Sequence, residues 1–351
     1  MQTAVGIHDF VLRSNTNFGD AVNSVVEAER LGVDCVWSAE AWGTDAVVPL
    51  AFVAARTTLI RIASGIIQIT ARAPAMTAMT AMTLDYVSGG RFTLGLGVSG
   101  PQVVEGLHGV RYARPLERLQ ETVEVIRMAT RGDKVAFEGR QIVLPLPGGQ
   151  GKPLRIGQPP RPGLPIYLAT LGPKALEYTG READGWVGTC FIPEAASYFV
   201  DHIRQGAAAA GRSLSEIAIY AGGPVAFAAD PEPLLAARKK AIAFQVSAMG
   251  SPTTNFYHDA FARLGYAEEV DRVRQIYLSG RHDDASEAVP DDLALQTSLF
   301  GDEKAVTERI RAYRRAGVTE LRLEPMGRTA AERLDTLGAA VELVRAVNAE
   351  D

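Results

Sequence analysis

The sequence predicts an α/β fold, a single (β/α)8 TIM barrel with insertions that takes in residues 1–351. Three observations point there. Short apolar runs alternate with longer helical patterns from one end of the chain to the other. The strand–helix units number seven or eight, enough to close a parallel sheet into a ring. The first strand leads into "GIHDFVLRSNTNFGD", which lacks the phosphate fingerprint that the competing fold, a doubly wound open sheet, would place there.

Taken in order, "AVGIHDF" is a strand and "FGDAVNSVVEAERLG" an amphipathic helix closed by Gly32. "VDCVWSAE" is the next strand, followed by the apolar helix "AVVPLAFVAARTT", and then by strand "IRIASGII" and helix "APAMTAMTAMTLDYVSG". Strand "RFTLGLG" precedes "PLERLQETVEVIRMATRG", a helix with apolar residues near every third and fourth position. The stretch 133–163 interrupts the alternation: "KVAFEGRQIVLPLP" reads as a β-hairpin and "GGQGKPLRIGQPPRPG" as a surface loop. Alternation resumes with "LPIYLAT", helix 173–182, "DGWVGTC", helix 194–211, "EIAIYAGGPVAFAAD" and helix "PEPLLAARKKAIAFQVSA". An irregular region then runs to about 290 and carries Tyr257, His258, Tyr266, Tyr277 and His282. It is too long for an idle connection, so 250–290 is either a lid or a surface excursion. The chain ends with strand "ALQTSLFG", helix "DEKAVTERIRAYRRAG", strand "VTELRLEP" and a helix over 329–348.

Composition narrows the function classes. Hydrophobic residues make up 47% and charged residues 22%, the balance of an average soluble globule. A net charge of −5 provides no basic footprint, so nucleic acid is not an expected partner. Cys35 and Cys190 cannot build a disulfide framework, and both sit in apolar runs, as in a reduced compartment. No apolar stretch approaches the ~20 residues that cross a bilayer, and the first residues show no charged leader. The expectation is a cytoplasmic protein with a small-molecule substrate and no membrane partner.

A closed parallel barrel carries its site at the carboxyl ends of its strands. The residues found there are His8 and Asp9, then Glu40, Ala41 and Trp42, then Gln68 and Arg72. Further round come "GLGVSGPQVVEG", "ATLGP", Thr189 with Cys190, and finally Arg322 and Glu324. Neither Ser38 nor Ser99 has a neighbouring histidine, and no lysine of the aldolase type stands at a strand end. The five histidines show no HxH or HxxxH spacing, so no metal centre is expected. What remains are glycine-rich strand ends that let a ligand approach the backbone, a pattern suited to a cofactor that carries the chemistry. The stretch "YLATLGPKALEYTGREADGW" (167–186) is the sharpest instance: a strand, a Gly-Pro corner, a helix and a second strand. Gly172 is expected to let the chain turn and leave amides exposed, while Pro173 suits a first helical position. Such a helix start favours an anion, although an ordinary Gly-Pro start would read the same.

The segments "LDYVSGGRFTLGLGVSG" (84–100), "GPKALEYTGREADGWVGTC" (172–190) and "GDEKAVTERIRAYRRAGVTELRL" (301–323) resemble the bacterial luciferase-like oxidoreductases over the whole chain. They look most like the branch that uses the deazaflavin coenzyme F420, which includes methylenetetrahydromethanopterin reductases. FMN, the cofactor of the monooxygenase branch, is the alternative. The resemblance implies that amides around Leu171 and Gly172, with Thr189, hold the cofactor phosphate. By position it places a non-proline cis peptide at Gly65–Ile66, with Ile66 backing the central ring. It also puts Val98, Ser99 and Gly100 along the ring edge or side chain. Compared with the related glucose-6-phosphate dehydrogenases, Ala41 stands where a histidine falls and "VSGP" has no glutamate, so sugar-phosphate oxidation is not expected.

Glu40 is the first candidate for proton transfer or a cofactor hydroxyl contact, with a structural acid at the rim as the alternative. Asp9 and His8 come next. Trp42 is placed as a wall of the substrate pocket or, alternatively, in the core. The leading function is hydride transfer between the deazaflavin and a small organic substrate. An FMN-dependent monooxygenase is second and a cofactor-binding barrel without turnover third. Similar proteins are usually homodimers.

Overall fold

Eight parallel strands close into the ring that the alternation predicts. The structure is a computed structural model and describes residues 1–11, 17–251 and 253–350. Its strands are β1 (Gln2–Gly6), β2 (Cys35–Ser38), β3 (Arg61–Ser64) and a short continuation, β4 (Ile67–Gln68). They continue with β5 (Phe92–Gly97), the hairpin strands β6 (Phe137–Glu138) and β7 (Val143–Leu144), and β8 (Ile166–Ala169). The last four are β9 (Gly185–Val187), β10 (Ala218–Phe227), β11 (Leu299–Gly301) and β12 (Glu320–Pro325). Round the ring the order is β12, β1, β2, β3, β5, β8, β9, β10, and β10 pairs again with β12. β11 lies beside the far end of β10, at Val225–Gly301 level, outside that ring. Strands β2 and β5 are buried along their full length, because helices cover the outside and side chains fill the inside.

The helices follow from their apolar spacing. Helix Phe18–Arg30 buries Val22, Val25 and Ala28, positions three apart that face the sheet. Inside the ring, Trp37 stacks on Tyr220 with ring centroids 4.3 Å apart and meets Tyr167 at 5.8 Å. Below this aromatic layer the buried Glu320 accepts from Trp37 Nε1 at 2.8 Å and pairs with Arg61 at 2.7 Å. These side chains fill the lumen at this level, as in other small barrels.

The structure departs from the sequence reading in three places. β1 stops at Gly6, and His8 and Asp9 lie in a 3-10 turn, Ile7–Phe10, because the Asp9 carboxylate folds back onto the Gly6 N–H at 2.7 Å. The region 250–290 is helical rather than irregular, with segments Phe256–Phe261, Ala267–Leu278 and His282–Glu287 joined by a π turn at Ala262–Tyr266. Phe261, Val270, Val273 and Ala285 bury themselves with Ile242 and Val246 of helix Glu232–Ala248 in a core of their own. "ALQTSLFG" divides likewise: its first residues end helix Asp291–Gln296, where Leu293 and Ala294 join that second core, and only Leu299–Gly301 is strand. The hairpin is antiparallel, Phe137 opposite Leu144, and its turn is held by Glu121, which accepts from the N–H groups of Arg140, Gln141 and Ile142 at 2.7–2.9 Å.

Candidate active site at the carboxyl ends of the strands

The Gly-Pro corner after β8 has free donors. The N–H groups of Leu171, Gly172 and Lys174 have no acceptor among the described residues, and helix Pro173–Glu182 begins without a side-chain cap. Gly172 has φ −86° and ψ 152°, an extended conformation open to any residue, so it is not a glycine in order to turn the chain. The fold has room for a side chain there, since a Cβ would meet no atom within 4 Å, and the corner faces open space. The corner is held from behind. Thr170 and Thr179 hydroxyls lie 2.7 Å apart, and Trp186 Nε1 donates to the Thr170 carbonyl at 2.8 Å. Thr189, half-buried after β9, has a hydroxyl without a partner among the described residues. Free amides at a ten-residue helix start, an unpaired hydroxyl and an empty approach fit a phosphate.

Next to it is a floor. The Gly65–Ile66 peptide is cis. The Ile66 side chain lies over Gly97 at the end of β5, where a Cβ would stand 3.0 Å from Ile66 Cγ1 and press on that side chain. Val98, Ser99 and Gly100 follow, all half-buried at the rim. Ser99 (φ 58°) and Cys190 (φ 59°) adopt left-handed conformations that cost non-glycine residues energy, and both sit just beyond a barrel strand. The helical cover is tied to this side: Gln102 Nε2 donates to the Gly250 carbonyl, and the Tyr112 and Phe256 rings are 6.4 Å apart.

The acids divide into two kinds. Glu40 is bound on both oxygens: Oε1 accepts from Gln68 N–H at 2.9 Å and Arg72 at 2.7 Å, Oε2 from Arg72 at 2.9 Å and Ala46 N–H at 3.3 Å. That occupies its lone pairs and joins the loops after β2 and β4, the arrangement of a structural acid at the rim. Asp9 differs. Its side chain is 8% exposed and faces Arg322 at 3.5 Å, while Arg322 also pairs with Glu324 at 3.2 Å. Burial, helped by the Glu324 charge, pushes the Asp9 carboxyl up to about 6 against the opposing pull of Arg322 and the Gly6 N–H. Beside it, His8 Nε2 lies 2.6 Å from Thr44 Oγ1. Burial, then the Arg322 charge, lower its pKa and favour the neutral ring. Trp42 is 57% exposed, so it is not a core residue.

A barrel with this rim matches a known group along almost its whole length: the sequence profile of the luciferase-like monooxygenases fits residues 4–320. The chain belongs to the luciferase-like monooxygenase family. Among luciferase-like relatives, a Mycobacterium tuberculosis protein provisionally named coenzyme F420-dependent oxidoreductase is 39% identical over 303 residues, 84% of this chain and 87% of that one. The 5,10-methylenetetrahydromethanopterin reductase of Archaeoglobus fulgidus is 29% identical over 300 residues, with 84% and 86% covered. The solved structure of the F420-dependent tetrahydromethanopterin reductase from Methanopyrus kandleri superposes with a TM-score of 0.78 at 24% identity, covering 96% of this chain and 97% of that one. That likeness shows the shared barrel fold.

Some residues of this luciferase-like site were beyond sequence reasoning. Thr44 touches His8 from 36 residues away, and Arg333, which donates to the Asp9 carbonyl, is 324 residues distant. Arg238 of helix Glu232–Ala248 reaches Thr297 Oγ1 at 3.0 Å beneath the cover, and no spacing announces it. Gly97 was the exception: it stood in the quoted "GLGVSG", and the alternating glycines of β5 were a usable sign of close approach.

Proposed function

We propose that this protein is a coenzyme F420-dependent oxidoreductase that moves a hydride between the deazaflavin and a small organic substrate. The observation that carries the reading is the corner at Leu171–Gly172, with unpaired amides facing open space, in a chain whose relatives from M. tuberculosis and A. fulgidus are named for F420 and methanopterin chemistry. In this reading the Leu171 and Gly172 amides and the Thr189 hydroxyl hold the cofactor phosphate. Ile66 backs the ring, and Val98, Ser99 and Gly100 run along its edge. The bound deazaflavin would supply the carbon that gives or takes the hydride. The chain's own residues bind and orient, since hydride transfer needs no protein nucleophile. Asp9, with a carboxyl that titrates near neutrality, exchanges the accompanying proton, and neutral His8 offers a hydrogen bond beside it. Glu40 and Arg72 keep the rim in shape, and Trp42 stands at the entrance.

Titration of the purified protein with F420 and with FMN tests this. F420 is expected to bind at least tenfold more tightly and to be turned over with a substrate. Tighter FMN binding would favour the second reading, an FMN-dependent monooxygenase, which the family's description supports. Binding of F420 without turnover of any substrate would leave a carrier barrel.

We infer a homodimer as well. Helices Val47–Ala54 and Pro74–Val87 pack against each other and expose the apolar side chains of Val48, Phe52, Met76, Met79, Tyr86 and Val87, which a second copy could cover. Among the described residues no helix is long and apolar enough to cross a membrane.

A further inference from the structure

Beside the rim, sharing only Arg72 with the site described above, a cavity of about 240 Å³ lies between the loop Ile69–Ala73, helix Pro115–Thr130 and the hairpin residue Ile142. Its lining has three buried polar atoms without a hydrogen-bond partner: Thr70 Oγ1, Thr122 Oγ1 and Arg118 Nε. Thr122 is 1% exposed, so its unpaired hydroxyl is shut off from bulk water at a residue that lines the cavity. We propose that this cavity binds a small oxyanion, a carboxylate or a phosphate, with Arg118 as its charge partner and the Thr70 and Thr122 hydroxyls as donors.

The charges favour an anion over water. Of the two arginines lining the cavity, Arg72 is already neutralised by Glu40 at 2.7 Å. Arg118 makes no ion pair among the described residues, and the two carboxylates nearest it on its own helix, Glu117 and Glu121, are taken. Glu117 is engaged by Arg114 at 3.4 Å and Arg140 at 3.6 Å, and Glu121 by the three hairpin amides at 2.7–2.9 Å. An unpaired guanidinium with a buried, unsatisfied Nε–H is a donor fork waiting for an oxyanion. The helix Pro74–Val87 begins at the same cavity, and its N-cap Ala73 contributes no side-chain acceptor, so the positive end of its dipole is also uncompensated there. The volume is several times the ~30 Å³ share of one water and accepts a phosphate or the head of a carboxylic acid.

The test uses inorganic phosphate, followed by calorimetry, on the Gly172→Asp protein, in which the corner is blocked by a carboxylate. One saturable site is expected. Its affinity should fall at least tenfold in Arg118→Gln and in Thr122→Val, which keeps the shape and removes the hydroxyl, and should return in Thr122→Ser. Acetate should compete with phosphate. Absence of saturable binding, or equal affinity in a folded Thr122→Val or Arg118→Gln variant, overturns the proposal. Repeating the phosphate titration on wild-type protein saturated with F420 separates the sources. Persisting binding marks a free anion, and loss confined to this protein marks an acidic part of the larger ligand reaching the cavity. Both sources agree with the proposal, and neither depends on whether the corner holds the cofactor phosphate.

Discussion

Replacing Gly172 with aspartate tests the corner in two opposite directions at once. A Cβ at 172 meets no atom within 4 Å, and the backbone at φ −86° suits any residue, so the folded apo protein should accept the change. Aspartate is among the best N-cap residues, the Lys174 N–H is free to receive it, and no side chain caps this helix now. Apo stability should therefore rise by about 0.5–1 kcal/mol. Cofactor binding should fall steeply. One carboxylate about 5 Å from one phosphate charge, at an effective dielectric of about 20, is repelled by about 3 kcal/mol, roughly 150-fold in Kd. Gly172→Ala is the control for bulk alone and should lose much less. F420 affinity is read by absorbance titration and stability by thermal unfolding of the apo protein. A Gly172→Asp protein with raised Tm and unchanged F420 affinity would refute the reasoning and move the phosphate elsewhere.

Asp9 ties stability to pH. Its carboxyl is raised from 3.8 to about 6, so its contribution to stability is full below about 3.8 and disappears as pH rises through about 6. The two-unit shift corresponds to about 3 kcal/mol, and Asp9→Asn should remove that slope in urea unfolding measured from pH 4 to 7. The same variant should lose the limb near pH 6 in the kcat/KM profile, and a persisting limb would assign the proton to another group. Glu40→Ala should cost about 3 kcal/mol by stranding Arg72 and two backbone N–H groups, seen as a lower denaturation midpoint with unchanged slope. Phe52→Glu combined with Met79→Glu should convert a dimer to monomers in sedimentation, and an unchanged mass would discard that face.

The barrel was legible because parallel strands buried on both faces announce themselves as short apolar runs, and helices by their own spacing. Both signals are local. The Gly-Pro corner was legible for the same reason, since a helix start with a proline in its first turn is written in consecutive residues. The purpose of Gly172 was not, because whether space or backbone freedom requires a glycine depends on what surrounds it. The helices between 256 and 287 were hidden by their shortness and charge, since each buries only a few residues against helix Glu232–Ala248. Glu40 and Asp9 looked alike as acids after strands, yet one met Arg72, 32 residues on, and the other Arg322 and Glu324 across the closed ring. The amino-acid order by itself determined the alternation, the ring and the corner, all of which rest on neighbours along the chain. Only the tertiary structure decided which acid is saturated and which can still exchange a proton, because burial and opposing charge exist only once distant strands close on one another.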